Sequence, residues 1–99
     1  KQYNTIGEFT RDYNAAIIAL DNFVFNYPGS KYKEDALFYK YDSMYQLAIN
    51  SIPSKKQERL ISAKTYYQNL IKYKADTKYL EKSTKMLETV EKELKQYTN

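Results

Sequence analysis

The sequence predicts an all-α fold of about four helices, paired as antiparallel hairpins that stack into a fragment of an α-solenoid. Three observations carry that prediction. The chain has two glycines and two prolines in 99 residues and is 42% hydrophobic. That is too few chain-breakers for a stack of short strands and too much apolar content for a disordered tail. Apolar residues recur at three- and four-residue steps through four segments. Finally, the chain echoes itself. A shift of 47 positions puts Ser30 on Thr77, Lys31 on Lys78, Tyr32 on Tyr79 and Glu34 on Glu81, and in the preceding helix Ala16 on Ala63, Phe23 on Leu70 and Val24 on Ile71. A helical unit recurring every ~20–50 residues marks stacked helix pairs.

At the N-terminus, Lys1-Gln2-Tyr3 reads as the end of a helix, followed by a turn at Gly7. Residues 1–99 are therefore expected to be a single helical domain, an excerpt of a longer chain. The first full helix should run from about Thr10 to Asn26. Its stripe is Phe9, Tyr13, Ala16, Leu20, Phe23 and Tyr27, widened by Ile17 and Val24, and such width predicts neighbours on two sides. The corner Tyr27-Pro28-Gly29-Ser30 follows. Pro28 has no N–H and pushes Tyr27 out of the helical region, and Ser30 is expected to cap the next helix. Glu34 falls in its first turn, where the helix dipole favours negative charge.

Helix two, about Ser30 to Asn50, is rich in aromatics: Tyr32, Phe38, Tyr39, Tyr41 and Tyr45. Ala36, Leu37, Met44 and Ala48 supply a core stripe. Phe38, Asp42, Tyr45 and Ile49 form an adjoining strip. Rings with one polar tip suit both helix packing and partner surfaces; most are assigned to the core, with Asp42 and Tyr45 assigned to recognition. Pro53 breaks the chain again. Ser54 with Gln57 has the spacing of a capping box, so helix three is expected from near Lys55 to Tyr73, burying Leu60, Ala63, Tyr67, Leu70 and Ile71. Lys55, Lys56 and Arg59 at its start oppose the helix dipole. The second corner has Ala75 where the first has Pro28, a weaker stop. Helix four, about Lys78 to Tyr97, has the narrow seam Leu80, Ser83, Leu87, Val90, Leu94 and Tyr97 under charged outer faces, as a terminal solenoid helix requires.

The chemistry of the chain points away from catalysis. There is no histidine, cysteine or tryptophan, which removes the usual general base and the Ser-His and Cys-His nucleophile pairs. Gly7 and Gly29 are isolated, so no glycine-rich phosphate loop exists. No loop gathers enough carboxylates to hold a metal, and no cofactor is expected. Glu34 and Asp35, like Glu91 and Glu93, read as solvent-facing charges. The net charge of +4 is uneven: residues 1–50 hold five Lys/Arg against six Asp/Glu, a balance of −1, and residues 51–99 hold eleven against six, a balance of +5. A basic half suits an acidic partner or a solvated face. Nucleic-acid binders gather Lys and Arg on one face, whereas here Glu81, Glu88, Glu91 and Glu93 interleave the lysines of helix four; no nucleic-acid partner is expected. No run approaches the roughly 18 apolar residues of a membrane span.

The pattern Tyr13…Ala16…Leu20…Phe23-Val24…Tyr27-Pro28-Gly29-Ser30-Lys31-Tyr32…Glu34…Ala36, continued by Tyr45-Gln46-Leu47-Ala48, Ser51-Ile52-Pro53, Lys55-Lys56, Glu58-Arg59 and Lys78-Tyr79-Leu80, resembles the C-terminal tetratricopeptide repeats of the BamD family, the outer-membrane assembly lipoproteins of bacteria. The resemblance implies a parent lipoprotein on the periplasmic face of the outer membrane. It also implies a membrane anchor outside this chain and a non-enzymatic scaffold role in β-barrel assembly. The expected partners are components of that machinery, with the periplasmic domains of its central barrel protein foremost. The second corner and Ser83, at the place of Ala36, depart from the pattern. Matching positions on helices two and four then give a candidate partner-binding trough, with Asp35, Phe38, Asp42, Tyr45 and Gln46 facing Lys82, Lys85, Thr89 and Lys92. The alternatives are another periplasmic tetratricopeptide adaptor of the cell envelope, or a nucleic-acid or acidic-surface binder using Lys55, Lys56, Arg59 and the lysines of helix four.

Overall fold

A computed structural model of the chain describes residues 2–97, with side-chain surroundings from Arg11 onward. Four helices follow one another: α1 (Gln2–Asn26), α2 (Lys33–Ile49), α3 (Pro53–Tyr73) and α4 (Leu80–Leu94). No strand occurs among the described residues. α2 is central, packing against α1, α3 and α4, while α3 also packs against α4. This is the all-α, tetratricopeptide-like arrangement that the sequence predicts.

α1 corrects the first expectation. It is one helix of 25 residues through Gly7, with no turn there. A glycine inside a helix costs about 1 kcal/mol relative to alanine, which a long helix tolerates. Phe9 lies outside the described side chains. The two-sided packing expected of this helix is also reduced, because α2 is its sole neighbour among the described elements. Ile17 is buried and Tyr13, Ala16, Leu20, Phe23 and Val24 are half-buried, whereas Tyr27 is exposed.

The two corners repeat bond for bond. Tyr27 N–H donates to the Phe23 carbonyl, Ser30 to Tyr27, Lys33 to Ser30 and Ala36 to Tyr32; 47 positions on, Lys74 donates to Leu70, Thr77 to Lys74, Leu80 to Thr77 and Ser83 to Tyr79, with distances of 2.8–3.2 Å throughout. Tyr32 and Tyr79 stand at the helix starts with φ/ψ of −94°/6° and −96°/8°. Ser30 is not the expected cap of α2. Its hydroxyl oxygen accepts the Tyr32 N–H at 3.0 Å, as Thr77 accepts the Tyr79 N–H at 3.3 Å. A hydroxyl bonded two residues ahead closes a small turn, and the helix begins only after it. Ala75 therefore serves as well as Pro28, since the corner is held by its hydrogen bonds.

α3 also starts differently from the expectation. Ile52 is the N-cap and Pro53 occupies the first turn, where its missing N–H would have had no partner anyway. Ser54 is already inside the helix, and no side chain caps this end. In α4 the buried residues are Ser83, Met86 and Val90. Met86 replaces Leu87 of the expected seam, and Leu80, the first residue of the helix, is 40% exposed.

The core joins Leu37, Phe38, Tyr41, Met44, Leu47 and Ala48 of α2 to Leu60, Ala63 and Leu70 of α3, Met86 and Val90 of α4, and Ile17 of α1. Among the described residues the one buried cation is Lys40, whose Nζ lies 2.6 Å from the Asp21 carboxylate of α1 and 4.2 Å from the Tyr66 ring centre of α3. A buried charge survives only when paired in this way. Ser83 is different: it is fully buried and its hydroxyl has no hydrogen-bond partner. An unpaired buried hydroxyl costs about 1–3 kcal/mol. Ser83→Ala, which restores the residue type of Ala36, is expected to raise stability by about 1 kcal/mol in urea denaturation. A loss of stability would show that the hydroxyl is satisfied.

Candidate functional site

The stretch of α2 and α4 that carries the predicted residues is assembled at the second corner. The acidic first turn of α2 reaches across to it. The Thr77 hydroxyl donates to the Glu34 carboxylate, the Lys78 N–H donates to the same oxygen at 3.0 Å, and Lys74 Nζ lies 3.7 Å from the other. Beside it, the Tyr79 hydroxyl donates to Asp35 and Lys78 Nζ lies 3.1 Å from the same carboxylate. Glu34 and Asp35 are therefore not the solvent-facing charges that spacing along one helix implies. The Thr77 hydroxyl first of all, with the Lys78 amide and the Lys74 and Lys78 charges, holds the Glu34 carboxyl below its ordinary pKa, against a smaller opposing effect of burial. Asp35 is lowered chiefly by the Tyr79 hydroxyl and then by Lys78. Their bonds to Asp35 in turn raise Tyr79 and Lys78 above their ordinary values.

Above this ion cluster lies an aromatic one. The Phe38 and Tyr79 rings stack with centroids 4.0 Å apart and planes 2° from parallel, and Tyr39 meets both edge-on. Lys82 Nζ sits 5.4 Å from the Phe38 ring centre, within cation–π range. Phe38 is 2% exposed, so its ring is covered rather than presented.

The nine predicted residues thus divide. Asp35 and Phe38 are engaged in joining α2 to the second corner, and Lys82 lies over Phe38. Asp42, Tyr45, Gln46 and Thr89 are half-buried, while Lys85 and Lys92 are exposed. Tyr45 packs against the core. Lys92 also lines a shallow depression of about 750 Å³ with Lys64, Glu88, Glu91, Leu94 and Lys95. What sequence reasoning missed is the role of Glu34, Thr77, Lys78 and Tyr79; the recurrence of Ser/Thr-Lys-Tyr before a Glu was the signal that could have found them.

Of the basic group at the start of α3, Lys56 Nζ lies 2.9 Å from Glu93 and Arg59 donates to the Ser51 hydroxyl at 2.7 Å, while Lys55 is exposed. Further along, Lys64 lies 3.3 Å from Glu91. Among the described residues no cluster of three or more acidic side chains is placed to hold a metal ion, and no helix is long and apolar enough to cross a membrane.

Compared with known protein families, residues 9–98 match the family described as "YfiO: Outer membrane lipoprotein". Neither curated proteins nor solved structures give a match.

Proposed function

Because the chain belongs to the YfiO family of outer membrane lipoproteins, we propose that it is a non-enzymatic scaffold of the outer-membrane β-barrel assembly machinery, docking protein partners along α2 and α4. The family match over nearly the whole chain carries the reading. Asp42, Tyr45 and Gln46 on α2 and Lys85, Thr89 and Lys92 on α4 retain accessible surface, which supports the reading. Partly covered tyrosine and exposed charge are the usual anchor and rim of a docking face. On this reading the parent protein is held at the periplasmic face of the outer membrane by a lipid outside this chain, and the partners are periplasmic domains of the machinery's central barrel protein. The pairing of Lys56 with Glu93 and of Arg59 with Ser51, together with the glutamates that interleave the lysines of α4, favours a protein partner over nucleic acid, which needs free cations on one face.

Affinity capture from envelope extracts tests this, with Tyr45→Ala and Lys85→Glu variants. Each is expected to lower recovery of barrel-assembly proteins about tenfold, the worth of one good interface contact. Unchanged recovery by variants with intact helical circular dichroism would remove α2 and α4 as the docking face.

A further inference from the structure

Lys33 and Lys40 stand about two turns apart on α2, and each lies over a tyrosine of α3. Lys33 Nζ is 4.7 Å from the Tyr73 ring centre and Lys40 Nζ is 4.2 Å from that of Tyr66. The pairing runs 33 to 73 and 40 to 66, as antiparallel helices require, so one arrangement occurs twice along the seam. The third wall is α1, and there the two differ. Asp21 gives Lys40 a carboxylate at 2.6 Å, whereas the α1 residue that lines a cleft with Lys33 is Val24, about one turn on. Lys33 is half-buried and meets no carboxylate among the described residues. Its chain neighbour Glu34 is drawn to the second corner instead.

Lys33, Lys40 and Tyr73 line that cleft, of about 360 Å³, together with Val24, Leu37, Asn69 and Lys72. Its walls are three successive helices, so it lies inside the fold and not at either end. Three ammonium groups here meet one carboxylate, since Lys72 is exposed and makes no ion pair among the described residues. Lys40 is 9% exposed. Of the three N–H donors of its ammonium, Asp21 takes one. Val24 and Leu37 add apolar surface, and away from water a charged contact is stronger.

We propose that this cleft takes an acidic side chain, glutamate or aspartate, of a partner polypeptide. Its carboxylate meets Lys33, Lys40 and Lys72, and its methylenes lie on Val24 and Leu37. The partner's acid thus does for Lys33 what Asp21 does for Lys40. A carboxylate suits the cleft better than a phosphate. Phosphate is usually met by free amides at a helix N-terminus or by an arginine fork. Here the Lys33 N–H is already bonded to the Ser30 carbonyl, and no arginine is among the lining residues. The cleft is separate from the face formed with α4: at about 100° per residue, Asp42 and Gln46 fall on the far side of α2 from Lys33 and Lys40.

The probe is the blocked peptide acetyl-Leu-Glu-Leu-amide, titrated into the isotope-labelled chain and followed by NMR. Saturable shifts are expected at Leu37, Lys40 and Asn69, and glutamine in place of the peptide's glutamate should abolish them. Lys33→Gln is expected to weaken binding about tenfold, the loss of one charge-assisted contact. Lys72→Gln, at an exposed side chain, should weaken it about threefold. Lys85→Glu, on α4, should leave it unchanged, which keeps this cleft and the α2–α4 face apart. Equal shifts with the glutamine peptide, or shifts spread over Lys85, Lys92 and Lys95, would overturn the proposal. So would no saturation at tens of millimolar peptide, or unaltered binding by Lys33→Gln and Lys72→Gln with native circular dichroism. Inorganic phosphate at the same concentration is expected to give smaller shifts; equal or larger ones would replace the acidic side chain with a free anion and overturn the proposal.

Discussion

Tyr41→Ala is expected to destabilise the chain by about 4 kcal/mol, as large-to-small changes at a buried aromatic do. Tyr41 is fully buried, and burial raises its phenol pKa, so the hydroxyl stays protonated and donates to the Ser83 carbonyl of α4 while the ring packs on Tyr67 of α3. Tyr41→Phe keeps the ring and removes only the hydrogen bond, for an expected loss of about 1 kcal/mol. The comparison assigns most of the effect to packing. Against a usual domain stability of about 5–15 kcal/mol, the alanine variant should melt about 20 °C lower. Urea melts of both variants check this; equal small losses would place the ring outside the core.

Acid is expected to release α4 before the rest. Glu34 and Asp35 have folded-state pKa values below their ordinary 4.5 and 3.8. A lowered carboxyl stabilises the fold fully above its ordinary value, and that contribution disappears as pH falls through the folded value. Stability is thus expected to fall steadily below about pH 4.5. Amides from Thr77 to Ser83 should lose hydrogen-exchange protection first, while those around Leu60 and Ala63 of α3 hold. The double variant Glu34→Gln, Asp35→Asn should be about 2 kcal/mol less stable at neutral pH, from the charged hydrogen bonds lost, and should show a flatter acid slope. An unaltered slope would show that other carboxylates govern the acid response.

These effects explain what the sequence could and could not tell. The first corner was legible because Pro28 and Gly29 interrupt two strongly periodic segments. The second was legible only through its alignment with the first, since Ala75 and Asp76 do not by themselves stop a helix. The core of α2 and α3 followed from apolar spacing, and Leu60, Ala63 and Leu70 are buried as expected. Spacing did not fix rotation to within one residue in α4, where Met86 and not Leu87 turns inward. At the start of α3 two local rules competed, and Pro53 at the first helical position prevailed over a capping box at Ser54. The tie from Glu34 to Thr77 was beyond any local rule, because it joins residues 43 apart. On its own helix Glu34 occupies a position that elsewhere faces water. Phe38 was placed with Asp42 and Tyr45 for the same reason: spacing groups them on one strip, but the position of Tyr79 decides which of the strip is covered.

The matching corners make the length of α3 a fixed quantity. Adding or deleting one residue within that helix would swing everything after it by about 100° and slide it 1.5 Å along the axis. Thr77 and Tyr79 would then turn away from Glu34 and Asp35, and Ser83 from Tyr41, all in a single step. Single substitutions along α3 leave that phase untouched, whereas even one inserted alanine, harmless by composition, would uncouple the two halves of the molecule.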